Sequence, residues 1–165
     1  MRYGVKMNNY TFCKIGINDI DRIVEIYNSN VTFLITHMGT SNISKEFILN
    51  EINKMKNYGF ISSLIKNNKN EIIGLCDFKI QKEAYLSLLI IHSKFKGNGF
   101  GRDIYNHLER VFKLNNVKRV RIDVIYDYEE NVLGFWKKQG FVIDGEVELE
   151  WNGYKSNAIR MIKII

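Results

Sequence analysis

The sequence predicts an α/β fold in which a mixed, mostly antiparallel central sheet carries helices on both faces. Three observations support this prediction. Residues 19–29, 44–58 and 101–115 repeat apolar side chains at helical spacing. Residues 84–92, AYLSLLIIH, form a nearly continuous apolar run, which is typical of a strand buried on both faces. Asn152-Gly153 lies between two alternating segments and is a strong signal for a β-hairpin.

The N-terminal third of the chain is predicted to contain one strand and two helices. Residues 10–16 have the composition of a first strand. Residues 19–29 and 44–58 are predicted helices, and Ser44 is a plausible N-cap for the second of them. We expect the intervening residues 30–43 to form a loop that helps to shape a pocket.

Strands dominate the rest of the predicted order. The predicted elements are strands at 60–66, 71–81 and 84–92, a helix at 101–115, a strand at 119–126, a helix at 130–139, and strands at 141–151 and 154–165. The strand–helix–strand unit over 84–126 predicts a right-handed parallel crossover, because strands joined by a helix pair in parallel. We expect the other pairings to be antiparallel.

Composition limits the class of protein. The 165 residues, 45% of them hydrophobic and 25% charged, suit one domain spanning residues 1–165. No apolar run reaches the 18 or so residues that span a membrane, and residues 1–12 do not resemble a secretion signal. Cys13 and Cys76 are far apart, so we expect free thiols in a cytoplasmic protein. Three unclustered histidines and two cysteines argue against a metal site.

The formal net charge of +6 suits nucleic acid, acidic lipid or a polyanionic cofactor as a partner. Basic residues are densest at 94–102, beside a glycine-rich turn, which favours a small phosphorylated ligand over nucleic acid. The same charge disfavours polycationic acceptors such as spermine, although salt screens this repulsion beyond about 10 Å.

The glycine-rich turn follows the apolar strand directly. Gly97, Gly99 and Gly101 stand at alternate positions where the chain passes from strand to helix. The first amides of a helix have no acceptor within the helix, and its dipole adds positive potential, so this turn suits a phosphate group. The alternative is a turn that uses glycine only for its backbone angles.

Two segments resemble motifs of the GNAT superfamily of N-acetyltransferases. Residues 96–101, KGNGFG, resemble the family's [RQ]-x-x-G-x-[GA] loop, with Lys96 in place of the usual Arg or Gln. Residues 135–141, FWKKQGF, resemble its [FL]-Y-x-K-x-G-F element. The resemblance extends over about residues 10–165, because the order of predicted elements also agrees.

The resemblance implies an acetyl-CoA-dependent N-acetyltransferase. In the family, the loop amides hold the coenzyme A pyrophosphate, and the end of the preceding strand pairs with the pantetheine arm as an added strand would. The implied cofactor-binding residues are Leu89, Ile90, Ile91, Lys96, Gly97, Asn98, Gly99, Phe100, Gly101, Arg102, Asn131, Trp136 and Lys138.

The resemblance leaves the proton donor open. Many family members place a Tyr at the position of Trp136, where it protonates the departing thiolate. An indole is too weak an acid for this, so Tyr126 and Tyr128 are substitutes. A thiol pKa near 8.5 also lets the thiolate leave without strong acid assistance.

The proton acceptor is also open. Family members often mount a Glu or His on the fourth strand, and counting back from the loop places Tyr85 and Ser87 there. Either residue would order a chain of water molecules to Glu83 or Asp77. The alternatives are that Glu83 is a solvated turn residue and that Asp77 is a polar residue facing the sheet edge. Cys76 as a covalent nucleophile is a further alternative.

The acceptor is expected to be a small-molecule or peptide amine. Phe33 and His37 precede the second predicted helix, where the family builds its acceptor wall. The resemblance also allows a homodimer that pairs through the last strand. Two other classes stay open at this point: a non-catalytic acyl-CoA-binding module and a basic nucleic-acid-binding domain.

Overall fold

The computed structural model describes residues 10–125 and 132–165, which build one seven-stranded sheet in the order β1-β2-β3-β4-β5-β7-β6. The strands are β1 (Tyr10–Lys14), β2 (Ile61–Asn67), β3 (Ile72–Ile80), β4 (Ala84–Ile91), β5 (Arg119–Ile125), β6 (Val142–Trp151) and β7 (Tyr154–Ile164). The apolar strand β4 lies at the centre of the sheet, as its sequence predicts.

Five α-helices lie within the described residues. They are α1 (Ile20–Asn28), α2 (Val31–Met38), α3 (Lys45–Asn57), α4 (Phe100–Leu114) and α5 (Val132–Lys138). The predicted cap of α3 is confirmed, because Ser44 Oγ accepts a hydrogen bond from the Phe47 amide at 3.1 Å.

The prediction of a loop over 30–43 is wrong for the residues of α2. Its sequence, VTFLITHM, is apolar on most sides and rich in β-branched residues, so it shows no one-sided helical pattern. Packing determines the helix instead, with Leu34 fully buried. It ends at Gly39, which adopts a left-handed conformation with φ 66°.

Helices cover both faces of the sheet, as predicted. Side chains of α1, α2 and α3 pack with Leu64, Leu75 and Leu88 on one face. Side chains of α4 pack with Phe78, Val120 and other residues on the opposite face. Each face thus has its own hydrophobic core.

Strand β4 runs parallel to β5, as predicted, but the two strands pair only at their beginnings. The paired residues are Ala84 with Val120 and Tyr85 with Arg121. On the other side of β4, Leu86 pairs with Phe78 and Leu88 with Asp77, so Ser87 is the extra residue of a β-bulge. Beyond this bulge the sheet opens between β4 and β5.

The hairpin predicted at Asn152-Gly153 is confirmed, and Trp151 pairs with Tyr154 across it. Strand β7 lies between β5 and β6. Its residues 158–164 pair with β5 on one side, and its length from Tyr154 to Ile162 pairs with β6 on the other.

Candidate active site

A cavity of about 400 Å³ lies where β4 and β5 diverge. It extends from Lys96, the first residue of the glycine turn, to side chains of α2 and α3. Its lining includes Phe33, His37, Glu51, Tyr58, Asp77, Tyr85, Ser87, Leu89, Ile90, Ile91, Lys96, Asp123, Trp136 and Trp151. The cavity brings together many of the site residues predicted from the sequence.

The glycine turn begins at Lys96, which lines one end of this cavity. Gly97 and Gly99 have φ angles of 78° and 79°, a conformation that glycine adopts at little cost. Gly99 is the N-cap of the 15-residue helix α4, and its carbonyl accepts the Asp103 amide at 3.2 Å. The preceding amides of the first turn are thus presented at the start of a long helix, where the dipole favours an anion.

Side chains around the turn add charge and fix its backbone. Asn98 Nδ2 donates to the Lys96 carbonyl at 3.1 Å. Arg102 is exposed, and its Nε bonds to Asp103 at 3.0 Å, while its guanidinium lies beside Gly99. Lys96 lines the cavity. Both cationic side chains are exposed at the glycine turn and add positive charge there.

Two residues of the turn contribute through packing. The Phe100 ring packs against Tyr10 and Phe95 at centroid distances of 6.2 and 5.9 Å, so its side chain belongs to the core. A Cβ on Gly101 would lie 3.4 Å from the Phe135 ring, which shows how closely α4 and α5 approach. Aromatic side chains of the core therefore pack against the turn and support it.

The end of β4 presents backbone polar groups to the opening. The His92 amide donates to Ile73 on β3 at 2.9 Å. Because backbone groups alternate along a strand, those of Leu89 and Ile91 face the other edge, and those of Ile90 face β3. The Ile91 carbonyl accepts a bond from Asn30 Nδ2 at 3.1 Å. Leu89 thus directs its amide and carbonyl toward the cavity, and Ile90 contributes only its side chain.

Asp77 is a buried carboxyl group in the cavity wall. It is 5% exposed, and its Oδ1 has no hydrogen-bond partner. Burial raises the pKa of this carboxyl to about 6, the hydrogen bond from Ser62 lowers it, and the charge of Glu51 raises it further. The interpretation of Asp77 as an edge residue is wrong, because β3 lies inside the sheet.

Glu51 is a second buried carboxyl group in the same cavity. It lies on α3 and is 9% exposed. A small chamber of about 10 Å³ adjoins both carboxyl groups, Tyr27 and Ser62, and this is about the room of one water molecule. Burial, followed by Asp77 and Glu51, raises the pKa of the Tyr27 phenol, so the phenol stays neutral beside them.

Tyr85 and Ser87 both line the cavity, but neither side chain has the properties of a general base. Burial and a hydrogen bond with Asp123 raise the pKa of Tyr85, and the Arg121 guanidinium lies 4.9 Å from its ring centre. Ser87 Oγ donates to the Asp77 carbonyl at 3.1 Å. Glu83 pairs with Arg119 at 3.1 Å, outside the set of lining residues.

Phe33 and His37 lie on α2 and face the cavity from the side opposite the glycine turn. Their rings stack with centroids 4.0 Å apart, and His37 Nδ1 lies 3.0 Å from the Phe33 carbonyl. Burial lowers the pKa of His37 to about 4, so the imidazole is neutral near pH 7. The Trp151 indole crosses Phe33 at 6.3 Å, and its buried Nε1 has no partner.

Trp136 also borders the cavity, with its ring packed against Tyr105 and Phe141 at 5.4 and 5.3 Å. Lys138 is exposed at the end of α5. Tyr126, Tyr128 and Asn131 lie outside the described residues.

Cys76 is fully buried in the core beneath α4, and burial raises the pKa of its thiol. The alternative of Cys76 as a nucleophile is therefore wrong, because a buried neutral thiol is unreactive.

Sequence reasoning missed Glu51, Asp123 and Trp151. Glu51 had a detectable signal, since it interrupts the apolar stripe that Ile48, Ile52 and Met55 continue on α3. Asp123 and Trp151 sit on alternating strands with no local feature that separates them from other polar or aromatic strand residues.

Within residues 10–125 and 132–165, no helix combines the length and the hydropathy that crossing a membrane requires. Likewise, these residues contain no group of three or more His, Cys, Asp or Glu side chains positioned to hold a metal ion.

Comparison with known proteins places this geometry in a family. An uncharacterized N-acetyltransferase of Acanthamoeba polyphaga mimivirus is 34% identical over 91 residues, which are 54% of this chain and 21% of that protein. The chain thus spans about a fifth of the length of this curated relative.

Solved structures share the whole fold. An acetyltransferase from Thermus thermophilus superposes with a TM-score of 0.75 at 16% identity, covering 96% of this chain and 98% of that one. Spermidine N-acetyltransferase from Vibrio cholerae, in complex with CoA and spermine, gives 0.72 at 20% identity, covering 94% and 95%. PaiA N-acetyltransferase from Thermoplasma acidophilum, in complex with coenzyme A, gives 0.66 at 19%, covering 96% and 100%. Residues 22–141 match the acetyltransferase (GNAT) family, and the chain belongs to that family.

Proposed function

We propose that this protein transfers an acetyl group from acetyl-CoA to a primary amine, with both substrates bound in one ternary complex. The observation that supports this most strongly is the cavity itself. It is lined by Lys96, which begins the phosphate-suited glycine turn, by the open edge of β4 and by buried carboxyl groups. A cofactor and an acceptor would therefore meet at β4.

The residues present fit coenzyme A. The turn of Gly97 and Gly99 leaves open space where a Cβ on Gly97 would sit, and Lys96 and Arg102 supply cations for a pyrophosphate. The outward-facing carbonyl of Leu89 would accept a hydrogen bond from the pantetheine arm. The Vibrio cholerae and Thermoplasma acidophilum structures, which share the fold, hold CoA.

The buried carboxyl of Asp77 would accept the proton of the acceptor amine. An alkyl ammonium has a pKa near 10 and must lose a proton before its nitrogen can attack. A carboxylate with a pKa of about 6 is ionised at pH 7 and is a stronger base than an exposed one. Asp77 pairs with Leu88 across the strands, so it lies next to the Leu89 amide.

Bound acetyl-CoA would supply the thioester whose carbonyl carbon the neutral amine attacks, and its thiolate would leave. The Leu89 amide would donate to the carbonyl oxygen and stabilise the charge that develops there. Trp136 would pack beside the cofactor without donating a proton, since its indole is no acid. The proton taken from the ammonium would stay on Asp77 until water takes it. The proton that the attacking nitrogen loses as the amide forms would pass to the leaving thiolate.

The first test is thermal unfolding with and without acetyl-CoA, for the native chain and for Gly99→Glu. Ligand at about a hundred times its dissociation constant should stabilise the native chain by about 2.7 kcal/mol, which is several degrees. The carboxylate of Gly99→Glu would repel the pyrophosphate, so we expect no shift in that variant.

Gly153→Glu is the matched control, because Gly153 also has a positive φ of 81° and open space around it, but lies at the β6–β7 turn. It should keep the full shift. No shift in the native chain would overturn the proposal. A thermal shift with acetyl-CoA, but no release of the coenzyme A thiol in the presence of any amine of a panel, would instead identify a non-catalytic acyl-CoA-binding module. Trp136 in place of the usual tyrosine is compatible with such a module.

A further inference from the structure

The acceptor end of the cavity holds two buried carboxyl groups. Asp77 and Glu51 are 5% and 9% exposed, and both line the main cavity and the small chamber beside it. Burying one ionised carboxylate costs free energy unless a cation or several hydrogen bonds compensate it. Two such groups in one wall call for a positively charged occupant.

Neither carboxyl group has a cationic side chain within 4.0 Å in the described part of the chain. The Oδ1 atom of Asp77 is buried and has no hydrogen-bond partner at all. An unpartnered buried acceptor on a cavity wall indicates that a donor from a ligand completes it.

The other charged groups of the cavity do not supply this cation. Lys54 directs its Nζ to Asn152 Oδ1 at 3.5 Å, toward the β6–β7 hairpin. Lys96 belongs to the glycine turn at the opposite mouth. Asp123 is already paired with Arg121 at 2.8 Å, and Glu150 is exposed. The potential at the acceptor end is therefore set mainly by Asp77 and Glu51.

The walls between these charges are aromatic. Phe33, Tyr58, Phe60 and Trp151 line this end of the cavity. Aromatic faces pack well against methylene groups and attract an ammonium group through cation–π interactions. The volume of about 400 Å³ must also hold the end of the cofactor arm, which leaves room for a short chain.

We propose that the acceptor is a short linear amine with a second positive charge at its far end, as in an α,ω-diamine. Its reacting nitrogen would lie at Asp77, beside Leu89, and its distal ammonium would be held by Glu51. This assignment depends on the proposed acetyltransferase function and names the substrate class for that same site.

The local charge outweighs the net charge of +6 in this assignment. The expectation that a basic chain disfavours polycationic acceptors assumed evenly spread charge. Salt screens exposed charges beyond about 10 Å, whereas buried carboxylates act at close range in a low dielectric. The electrostatic potential at the bound substrate is thus set more by the buried carboxylates than by the surface charges.

The test compares three amines of matched length: putrescine, pentylamine and δ-aminovalerate. Their distal groups are an ammonium, a methyl and a carboxylate. We expect putrescine to have a kcat/KM at least about tenfold above that of pentylamine, the size of a lost hydrogen bond to a charged group. δ-Aminovalerate should be the poorest substrate.

Glu51→Gln tests the assignment of the distal site. This variant should lose the preference for putrescine through a higher KM for that amine. Thermal stabilisation by acetyl-CoA equal to that of the native chain reports that the variant is folded. Glu150→Gln is the matched control, since Glu150 also lines the cavity but is exposed, and it should keep the preference.

Calorimetric titration of putrescine into the protein with coenzyme A gives a readout independent of turnover. Binding should be detectable in the native chain and weakened about tenfold in Glu51→Gln. Equal use of pentylamine and putrescine, or an equal loss of both in Glu51→Gln, would overturn the diamine assignment and leave the acetyltransferase proposal intact. Failure of acetyl-CoA to stabilise the protein would instead overturn the proposed function itself.

Discussion

The two ends of the cavity differ in the chemical groups that form them. The proposed cofactor end consists of two short runs, residues 89–91 and 96–102, of which 89–91 and Lys96 line the cavity, and it uses mainly backbone amides and glycine conformations. The proposed acceptor end consists of single side chains from α2, α3, β3 and β6, separated by up to about 120 residues. Backbone sites leave a local trace in a sequence, whereas side-chain sites are assembled by the fold.

The two ends also differ in charge and exposure. Lys96 and Arg102 lie at an exposed basic mouth, and Asp77 and Glu51 lie in a buried acidic wall. A polyanionic cofactor and a cationic acceptor would thus enter regions of opposite electrostatic potential. Changes at the acceptor end should alter proton transfer and acceptor choice, and changes at the cofactor end should alter cofactor binding.

The largest effect is expected from Asp77→Asn, which removes the proposed base and keeps the size of the side chain. We expect kcat to fall by about 10²–10⁴ at pH 7.5, because general-base catalysis contributes factors of this size. In the native chain, kcat at saturating amine should fall below about pH 6, where Asp77 becomes protonated, and Asp77→Asn should lack this limb.

Asp144→Asn is the control for this change, since Asp144 forms surface ion pairs with Arg119 and Arg160 away from the cavity. Its kcat should stay within about twofold of the native value, as surface pairs contribute little. Native-like turnover in Asp77→Asn would assign the base elsewhere.

A second change acts on the cofactor end through the backbone. A Cβ on Gly74 of β3 would contact the Ile90 carbonyl oxygen and lie 3.2 Å from the Ile91 Cα. Gly74→Ala should therefore displace the end of β4, lower the free energy of unfolding by about 1–3 kcal/mol and raise the KM for acetyl-CoA. Urea unfolding and steady-state kinetics measure the two effects.

Gly59→Ala separates this displacement from simple backbone strain. Gly59 has a φ of 77° and nothing within 4 Å of a Cβ, so its substitution costs strain alone. It should lower stability by about 1 kcal/mol and leave the KM for acetyl-CoA unchanged. An unchanged KM in Gly74→Ala as well would show that the end of β4 does not contact the cofactor.

A smaller effect should appear in the dependence of stability on pH. The folded pKa of His37, about 4, is below its usual 6.5, so its contribution is complete above pH 6.5 and is lost as the pH falls toward 4. The folded pKa of Asp77, about 6, is above its usual 3.8, so its contribution is complete below pH 3.8 and is lost as the pH rises through 6.

These two contributions offset each other between pH 4 and 6, and each amounts to at most about 3 kcal/mol. In Asp77→Asn, the free energy of unfolding should thus fall more steeply from pH 6 to pH 4 than in the native chain. At pH 8 the variant should be at least as stable as the native chain, because a buried charge is removed. Urea titrations at several pH values measure both, and parallel curves would contradict the burial of Asp77.

The smallest effect on activity is expected at Trp136. Trp136→Tyr restores the tyrosine that many family members carry, and Trp136→Phe is its match without the hydroxyl. Both should lose some packing against Tyr105 and Phe141. Their kcat values at pH 8 should agree within about threefold, because a thiolate leaves without strong acid help. A kcat at least tenfold higher for the tyrosine variant would show that thiolate protonation limits turnover.

Much of the fold was predictable because its signals are local. The strand β4 is apolar throughout, helices α1, α3 and α4 have one-sided apolar stripes, and Asn152-Gly153 marks the hairpin. Helix α2 was missed because its apolar residues lie on most sides, so only its packing against α1 and β7 reveals it. Likewise, the position of β7 inside the sheet follows from strand order, which no local pattern encodes.

The sequence by itself determined the glycine turn of the proposed cofactor end, because a turn of glycines between a strand and a helix is a run of neighbouring residues whose backbone chemistry follows from the sequence. Only the tertiary structure decided the acceptor end. Asp77 looks like an ordinary polar strand residue until β4 and α3 cover it, and burial then raises its pKa and places Glu51 beside it. Desolvation and charge coupling depend on distances through space, and these exist only in the folded chain.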